Sequence, residues 1–335
     1  MDWSKGLSAS YKAYIVDPIT WKDTEPIDII GGSISKSEDD LRESANITVS
    51  DYISDKEQWI RIYLDARQSS DSYYGALFTG LISSPGREYE GNVQTNSLEC
   101  YSVLKPASDV LLPRGYYVAY GTNTVAVLRS LLSVIKGMPI IIEGTPPNLS
   151  QTLIAENGES CLSMANLILY SIGWRMRITG DGSVVISEPA SEPSSYFDSI
   201  DADSLETKLS IENNWFDCPN VFRAVEGNFS ATAKDEDPDS IFSIQNRGRE
   251  IYYEESSCHP YIGESLAQYA KRRLKELQQV NMSASYTRRF DPDANVSDVI
   301  ALRYPGQGLD GLFYISSQSI TLGYSPTVSE VAYKI

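Results

Sequence analysis

The sequence lacks most of the groups on which enzyme sites depend. His259 is the only histidine among 335 residues, so any Ser/His/Asp or Cys/His mechanism must use it. It lies in Cys258-His259-Pro260, and the proline favours a loop histidine over a catalytic one. No P-loop motif occurs, and the glycines at Gly306 and Gly308 precede no predicted helix, which a dinucleotide-binding loop needs. The sequence therefore gives no positive evidence for an enzyme, and no catalytic or cofactor-binding residue is assigned.

Cysteine is sparse, and its spacing excludes the common structural uses of the residue. Cys100, Cys161, Cys218 and Cys258 contain no Cys-x-x-Cys pair. The spacing predicts neither a disulfide framework nor a zinc ribbon, and it suits a reducing compartment. No set of three or four ligands with zinc spacing includes His259.

One acidic run, residues 235–239, has some of the residue types of a calcium loop. Asp235, Asp237 and Asp239 stand at alternate positions, but Ser240 and Asn246 replace the glycine and the glutamate that this loop requires. The acidic run at 37–40 is interpreted as a solvated turn. No metal ligand is therefore assigned.

Long apolar runs and basic patches are also missing. No run approaches the ~20 residues that span a bilayer, and the amino terminus has no signal-peptide pattern. The net charge is −17. Residues 1–105 carry 10 basic and 17 acidic side chains, residues 106–190 carry 5 and 6, and residues 191–335 carry 13 and 22. A tight nucleic-acid binder needs a basic footprint, so we expect none of that function, no membrane span, and synthesis in a cytoplasm.

Strand patterns dominate residues 1–105. In 59–64, Ile60, Ile62 and Leu64 recur at every second position, which is typical of a β-strand. Several such runs with turns between them predict a first tube-like β-barrel. The predicted strands are 11–16, 27–30, 46–50, 59–64, 76–83 and 98–104.

Residues 106–200 change to a mixed pattern that predicts an α/β insert domain. Thr122 or Asn123 begins a helix that ends at Gly137, and Ser160 begins a second helix that ends at Gly173. A short strand is predicted at 138–142, a hairpin at 174–178 and 183–187, and a linker at 188–195.

Residues 201–335 return to strands and predict a second tube-like β-barrel that includes helix 264–279. The helix has Leu266, Leu274 and Leu277 at helical spacing. The predicted strands are 205–211, 221–225, 250–254, 282–286, 298–303, 312–322 and 328–335, and 233–239 is predicted to be an acidic loop. The fold class is therefore α+β and mostly β, with two tube-like antiparallel β-barrel domains and an α/β insert between them.

Short motifs along residues 5–335 occur in an order that resembles a known family. That family is the phage tail baseplate hub proteins, the late control protein D or XkdQ-like group of contractile injection systems. One departure is Ser297-Asp298, where the family leads us to expect Gly-Asp. The motifs are Gly173-Trp174 with Gly180-Asp181-Gly182, then Asn220-Val221 with Arg247-Gly248-Arg249 and Tyr252-Tyr253, and finally helix 266–277 with 290–299.

The resemblance implies a structural role and no enzyme activity. A hub of this kind is a homotrimeric ring in which each chain supplies two barrels, so that three chains present six. Such a ring adapts a sixfold tail tube to a threefold spike or fibre in the baseplate of a phage or a tailocin. The implied partners are two further copies of the chain, the tube or tube-initiator protein, the spike or fibre protein and the tape-measure protein. Acidic barrel faces would let DNA slide through the channel by like-charge repulsion.

Two other functions remain open from the residues alone. A cell-wall hydrolase, or tail lysin, would use exposed carboxylates or His259. A polysaccharide-binding β-module would use the 22 tyrosines, whose rings suit half-wet sheet faces.

Overall fold

A computed structural model describes the chain except residues 4, 40, 51–53, 55, 70, 91–92, 200–204, 217, 257, 262 and 280–281. The protein is mostly β, as the sequence predicts. Among the described residues, no helix combines the length and the apolar character needed to cross a membrane.

The first six strands close into an antiparallel barrel. Each strand pairs with two others of the six, in the order β1-β4-β5-β6-β3-β2, and β2 pairs back to β1. Alternate residues of β4, including Ile60, Ile62 and Leu64, are buried in the barrel core with Phe78 and Leu98. All six predicted strands are present, and the observed strands are longer. Their bounds are β1 (Ser8–Val16), β2 (Asp23–Ser37), β3 (Glu43–Val49), β4 (Trp59–Gln68), β5 (Asp71–Glu90) and β6 (Val93–Ser102).

The α/β insert packs on one end of this barrel, and its helices begin where the sequence predicts. The Asn123 side chain accepts a hydrogen bond from the Ala126 amide, and Ser160 does the same for Ser163. Gly173 ends the longer helix with a φ of 70°. Buried side chains of both helices belong to one hydrophobic cluster with Trp59 and Leu81 of the barrel. The elements are α1 (Lys105–Asp109), β7 (Tyr117–Val118), α2 (Thr124–Leu132), β8 (Ile140–Ile142), β9 (Leu153–Ile154), α3 (Cys161–Ile172), β10 (Arg175–Ile178) and β11 (Val184–Ser187).

The remaining chain forms a second large sheet and a small helix-covered sheet. The second sheet has the order β12-β18-β19-β20-β17-β13 and curls around Tyr286, Leu302 and Phe313. No ladder joins β12 to β13 within the described part of the chain. The elements are β12 (Ser195–Asp198), β13 (Leu205–Asn213), β14 (Val221–Glu226), β15 (Phe229–Lys234), α4 (Ile244–Arg247), β16 (Tyr252–Ser256), α5 (Leu266–Gln279), β17 (Met282–Arg289), β18 (Val299–Tyr304), β19 (Leu309–Leu322) and β20 (Thr327–Lys334).

Helix α5 differs from its predicted place. It packs on β14 and β15 of the small sheet, not on the barrel strands that follow it. Tyr269, Ala270 and Leu274 of the helix meet Phe222 and Ala233 of those strands. The acidic loop predicted at 233–239 also begins later than expected, because β15 alternates small side chains and pairs with β14 up to Lys234.

Candidate functional site

A single strand joins the two large sheets. Along one edge of β2, the first half pairs with β1 and residues Gly32–Ser37 pair with β19. The register of β2 against β3 shifts between Ile29 and Gly31, and such a bulge bends a strand. Gly32 has a φ of 147°, and a Cβ there would lie 2.3 Å from the Asn46 carbonyl oxygen. The bulge and the glycine therefore turn β2 out of the barrel and into the second sheet.

The outward face of this shared sheet carries small hydroxyl side chains. Ser35 of β2 lies opposite Ser44 on one side and Ser319 on the other, and Ser319 lies opposite Ser329. The face is concave and forms a groove of about 1040 Å³. We call it the hydroxyl face, and its residues are Ser35, Ser37, Ser44, Ser210, Ser285, Thr287, Ser317, Ser319 and Ser329.

The opposite side of the same strands holds a buried ion pair. Arg288 Nη2 donates to Glu330 Oε1 at 2.6 Å, and both side chains are 0% exposed. Gln318 Nε2 donates to the same Glu330 oxygen at 2.6 Å and to the Ala294 carbonyl at 2.8 Å. Burial and the neighbouring Glu330 raise the pKa of the Tyr286 hydroxyl well above its usual value. The pair thus fixes β17, β19 and β20 beneath the groove. The sequence contains a signal for this buried charge. Glu330 stands between Val328 and Ala332 at the alternate positions of β20 that face the core.

A cavity of about 250 Å³ lies where the barrel, the insert and the second sheet meet. Glu43 lines it and is 4% exposed, and neither of its carboxylate oxygens has a hydrogen-bond partner among the described residues. Burial raises the pKa of Glu43 to about 8, against the opposing effect of Lys36. Burial therefore favours the neutral, protonated form of this carboxyl.

The residues considered as catalytic candidates do not converge on a reactive site. His259 is half-buried, and Gln151 Nε2 lies 3.1 Å from its Nδ1. Burial lowers the pKa of His259. The neighbouring Cys258 thiol is buried and donates to the Val225 and Glu255 carbonyls. Within the described chain, Gln151 is the only hydrogen-bond partner of His259, so no carboxylate orients its ring.

Carboxylates of the two acidic runs accept hydrogen bonds from nearby protein side chains. Asp235 accepts hydrogen bonds from Ser240 Oγ at 2.6 Å and from Gln278 Nε2 at 2.9 Å. Ser37 Oγ donates to Asp39, while Asp40 lies outside the described residues. No group of three or more His, Cys, Asp or Glu side chains suited to a metal ion occurs among the residues described.

The remaining candidates also lie in structural positions. All four cysteines are buried free thiols. Gly306 and Gly308 lie at a short 3₁₀ turn that leads into β19, so no helix follows them.

No protein-family model and no curated relative matches the sequence. Solved structures do. A tail protein from Neisseria meningitidis MC58 aligns with a TM-score of 0.71 and 14% identity over 98% of this chain and 97% of its own. The 43 kDa tail protein of prophage MuSo2 from Shewanella oneidensis aligns with a TM-score of 0.71 and 13% identity, again over 98% of this chain and 97% of its own. Prophage tail protein gp18 from Listeria monocytogenes EGD-e aligns with a TM-score of 0.58 and 12% identity over 97% of this chain and 94% of its own.

The chain has a phage tail protein fold. The alignments cover nearly the whole of each chain, so they include the barrel, the insert and the second sheet together. This confirms, at the level of the fold, the resemblance that the sequence motifs indicate.

Proposed function

We propose that this protein is a structural, non-enzymatic baseplate hub that assembles as a homotrimeric ring. The observation that carries the proposal is the pairing of β2 with β19, which joins two six-stranded sheets into one continuous sheet on a single chain. Because each chain supplies two six-stranded sheets, three copies would present six of them around the ring. A threefold ring could then match a sixfold tail tube on one side and a threefold spike or fibre on the other.

The hydroxyl face is our candidate for the channel lining. On this proposal serines and Thr287 make up much of the channel lining, where the resemblance implies acidic barrel faces. The groove also contains Asp39, Tyr101 and Lys208, but its small neutral hydroxyls offer a passing chain few ion pairs and few apolar contacts. A tape-measure protein or DNA would therefore pass without strong binding. On this proposal the protein is located in the baseplate of a virion or tailocin assembled in the bacterial cytoplasm, in contact with the tube and the spike.

Mass measurement of the purified protein tests the proposal directly. We expect a trimer by native mass spectrometry and light scattering, and averaged electron micrographs of a ring with six similar lobes. A protein that stays monomeric at micromolar concentration would contradict the hub. Peptidoglycan turnover that His259→Ala abolishes would instead support the hydrolase.

A further inference from the structure

An open cleft with apolar walls lies where the second sheet meets the small helix-covered sheet. It has a volume of about 550 Å³ and is lined by Trp215, Ile241, Met282 and Ile335, together with Lys275 and Lys334. Trp215 is 57% exposed and Ile241 is 62% exposed. Large apolar side chains grouped on a surface in this way mark interaction sites. We call this feature the Trp215 cleft.

Arg247 fixes the backbone of the segment that carries Trp215. Arg247 Nη1 donates to the Cys218 carbonyl at 2.6 Å, and Nη2 donates to the Trp215 carbonyl. The same guanidinium lies 5.7 Å from the centre of the Phe242 ring. The backbone at Trp215 is thus anchored while its ring stays exposed. An exposed Trp on a fixed backbone suits an interface hot spot, because its ring buries a large area and only two side-chain torsions must be ordered on binding.

Within the described chain, the two lysines of the cleft are not paired as the arginines of α5 are. Arg272 pairs with Glu264 and Glu276, and Arg273 pairs with Glu255 and Glu276. Lys275 and Lys334 form no ion pair with any described residue. Two unpaired lysines beside an apolar surface favour an occupant that brings carboxylates.

We propose that a second copy of this chain docks an acidic surface into the Trp215 cleft, as one of the contacts that close the trimer. This inference rests on the proposed hub function. A second copy of the chain can bring these carboxylates, because the chain carries 45 acidic and only 28 basic side chains. A ring of three also requires a heterologous contact, in which a surface of one copy meets a different surface of the next. The cleft would be one half of that contact and an acidic surface the other.

Charge and bulk reversal in the cleft test this inference. We expect Trp215→Glu, and separately the double variant Lys275→Glu with Lys334→Glu, to raise the dissociation constant of the trimer at least about tenfold. Tyr324→Glu is the matched control, because Tyr324 is 91% exposed in the turn between β19 and β20. Added salt should weaken the native trimer and weaken the lysine double variant less. Circular dichroism of each variant checks that its fold is intact.

The outcomes separate this inference from the hub itself. A native protein that never forms trimers overturns both. Native trimers together with cleft variants that assemble as well as the Tyr324→Glu control overturn only the docking inference. If Trp215→Glu fails to fold, the lysine variant decides the question, because both lysines lie outside the hydrophobic cores.

Discussion

Ser297 Oγ donates a hydrogen bond to Glu38 Oε1 at 3.0 Å, across 259 positions of the chain. Glu38 follows β2 of the barrel, and Ser297 precedes β18 of the second sheet. Tyr314 OH adds a hydrogen bond to the same Ser297 oxygen at 3.2 Å, and Arg175 of the insert lies 3.8 Å from the same Glu38 oxygen. One serine therefore links the two large sheets, next to the contact with the insert.

The backbone at Ser297 is left-handed, with a φ of 74°. Only glycine adopts this conformation without cost, so we expect Ser297→Gly to be more stable than Ser297→Ala by about 1 kcal/mol. Both variants lose the hydroxyl, and their difference therefore reports the backbone alone. Urea denaturation of the two proteins measures it. Equal stabilities would show that the position carries no strain.

Ser297 also shows how far sequence reasoning reaches. Family resemblance leads to an expectation of glycine there, and the positive φ supplies the physical reason. Local signals such as the caps at Asn123 and Ser160 and the alternation in β4 were enough to locate elements. The join between β2 and β19 was not predictable, because it depends on a bulge and on pairing between residues nearly 300 positions apart. The Trp215 cleft was missed for the same reason.

Gly180 provides a test of how the insert docks on the barrel. A Cβ at this position would lie 1.9 Å from the Ala76 carbonyl oxygen, and Thr79 Oγ1 donates to the Gly180 carbonyl at 2.7 Å. We expect Gly180→Ala to destabilise the protein by about 1–3 kcal/mol, because rigid backbone must move. Gly306→Ala is the control, since a Cβ there meets nothing within 4 Å. Equal melting temperatures for the two variants would show that the close approach of Gly180 to Ala76 does not limit stability.

The Arg288–Glu330 pair should be costly to break. Glu330→Gln leaves the buried Arg288 charge without its counter-ion, and we expect a loss of about 3 kcal/mol in the free energy of unfolding. Glu254→Gln is the control, because Glu254 pairs with Arg223 at an exposed site and should change stability by less than about 1 kcal/mol. Guanidinium denaturation of both variants provides the comparison. A loss at Glu330 no larger than at Glu254 would mean that the guanidinium finds other partners.

Glu43 should make stability depend on pH. Its folded pKa of about 8 lies above the ordinary value of 4.5, so the folded state binds the proton more tightly than the unfolded state. The contribution of Glu43 to stability is therefore greatest below about pH 4.5 and is lost as the pH rises to about 8. Glu43→Gln keeps a neutral side chain of the same shape. We expect it to exceed the native protein in stability by at least about 1 kcal/mol at pH 8, with a smaller difference at pH 5. Urea denaturation at both pH values measures this, and a difference that stays constant with pH would show that Glu43 does not titrate in the fold.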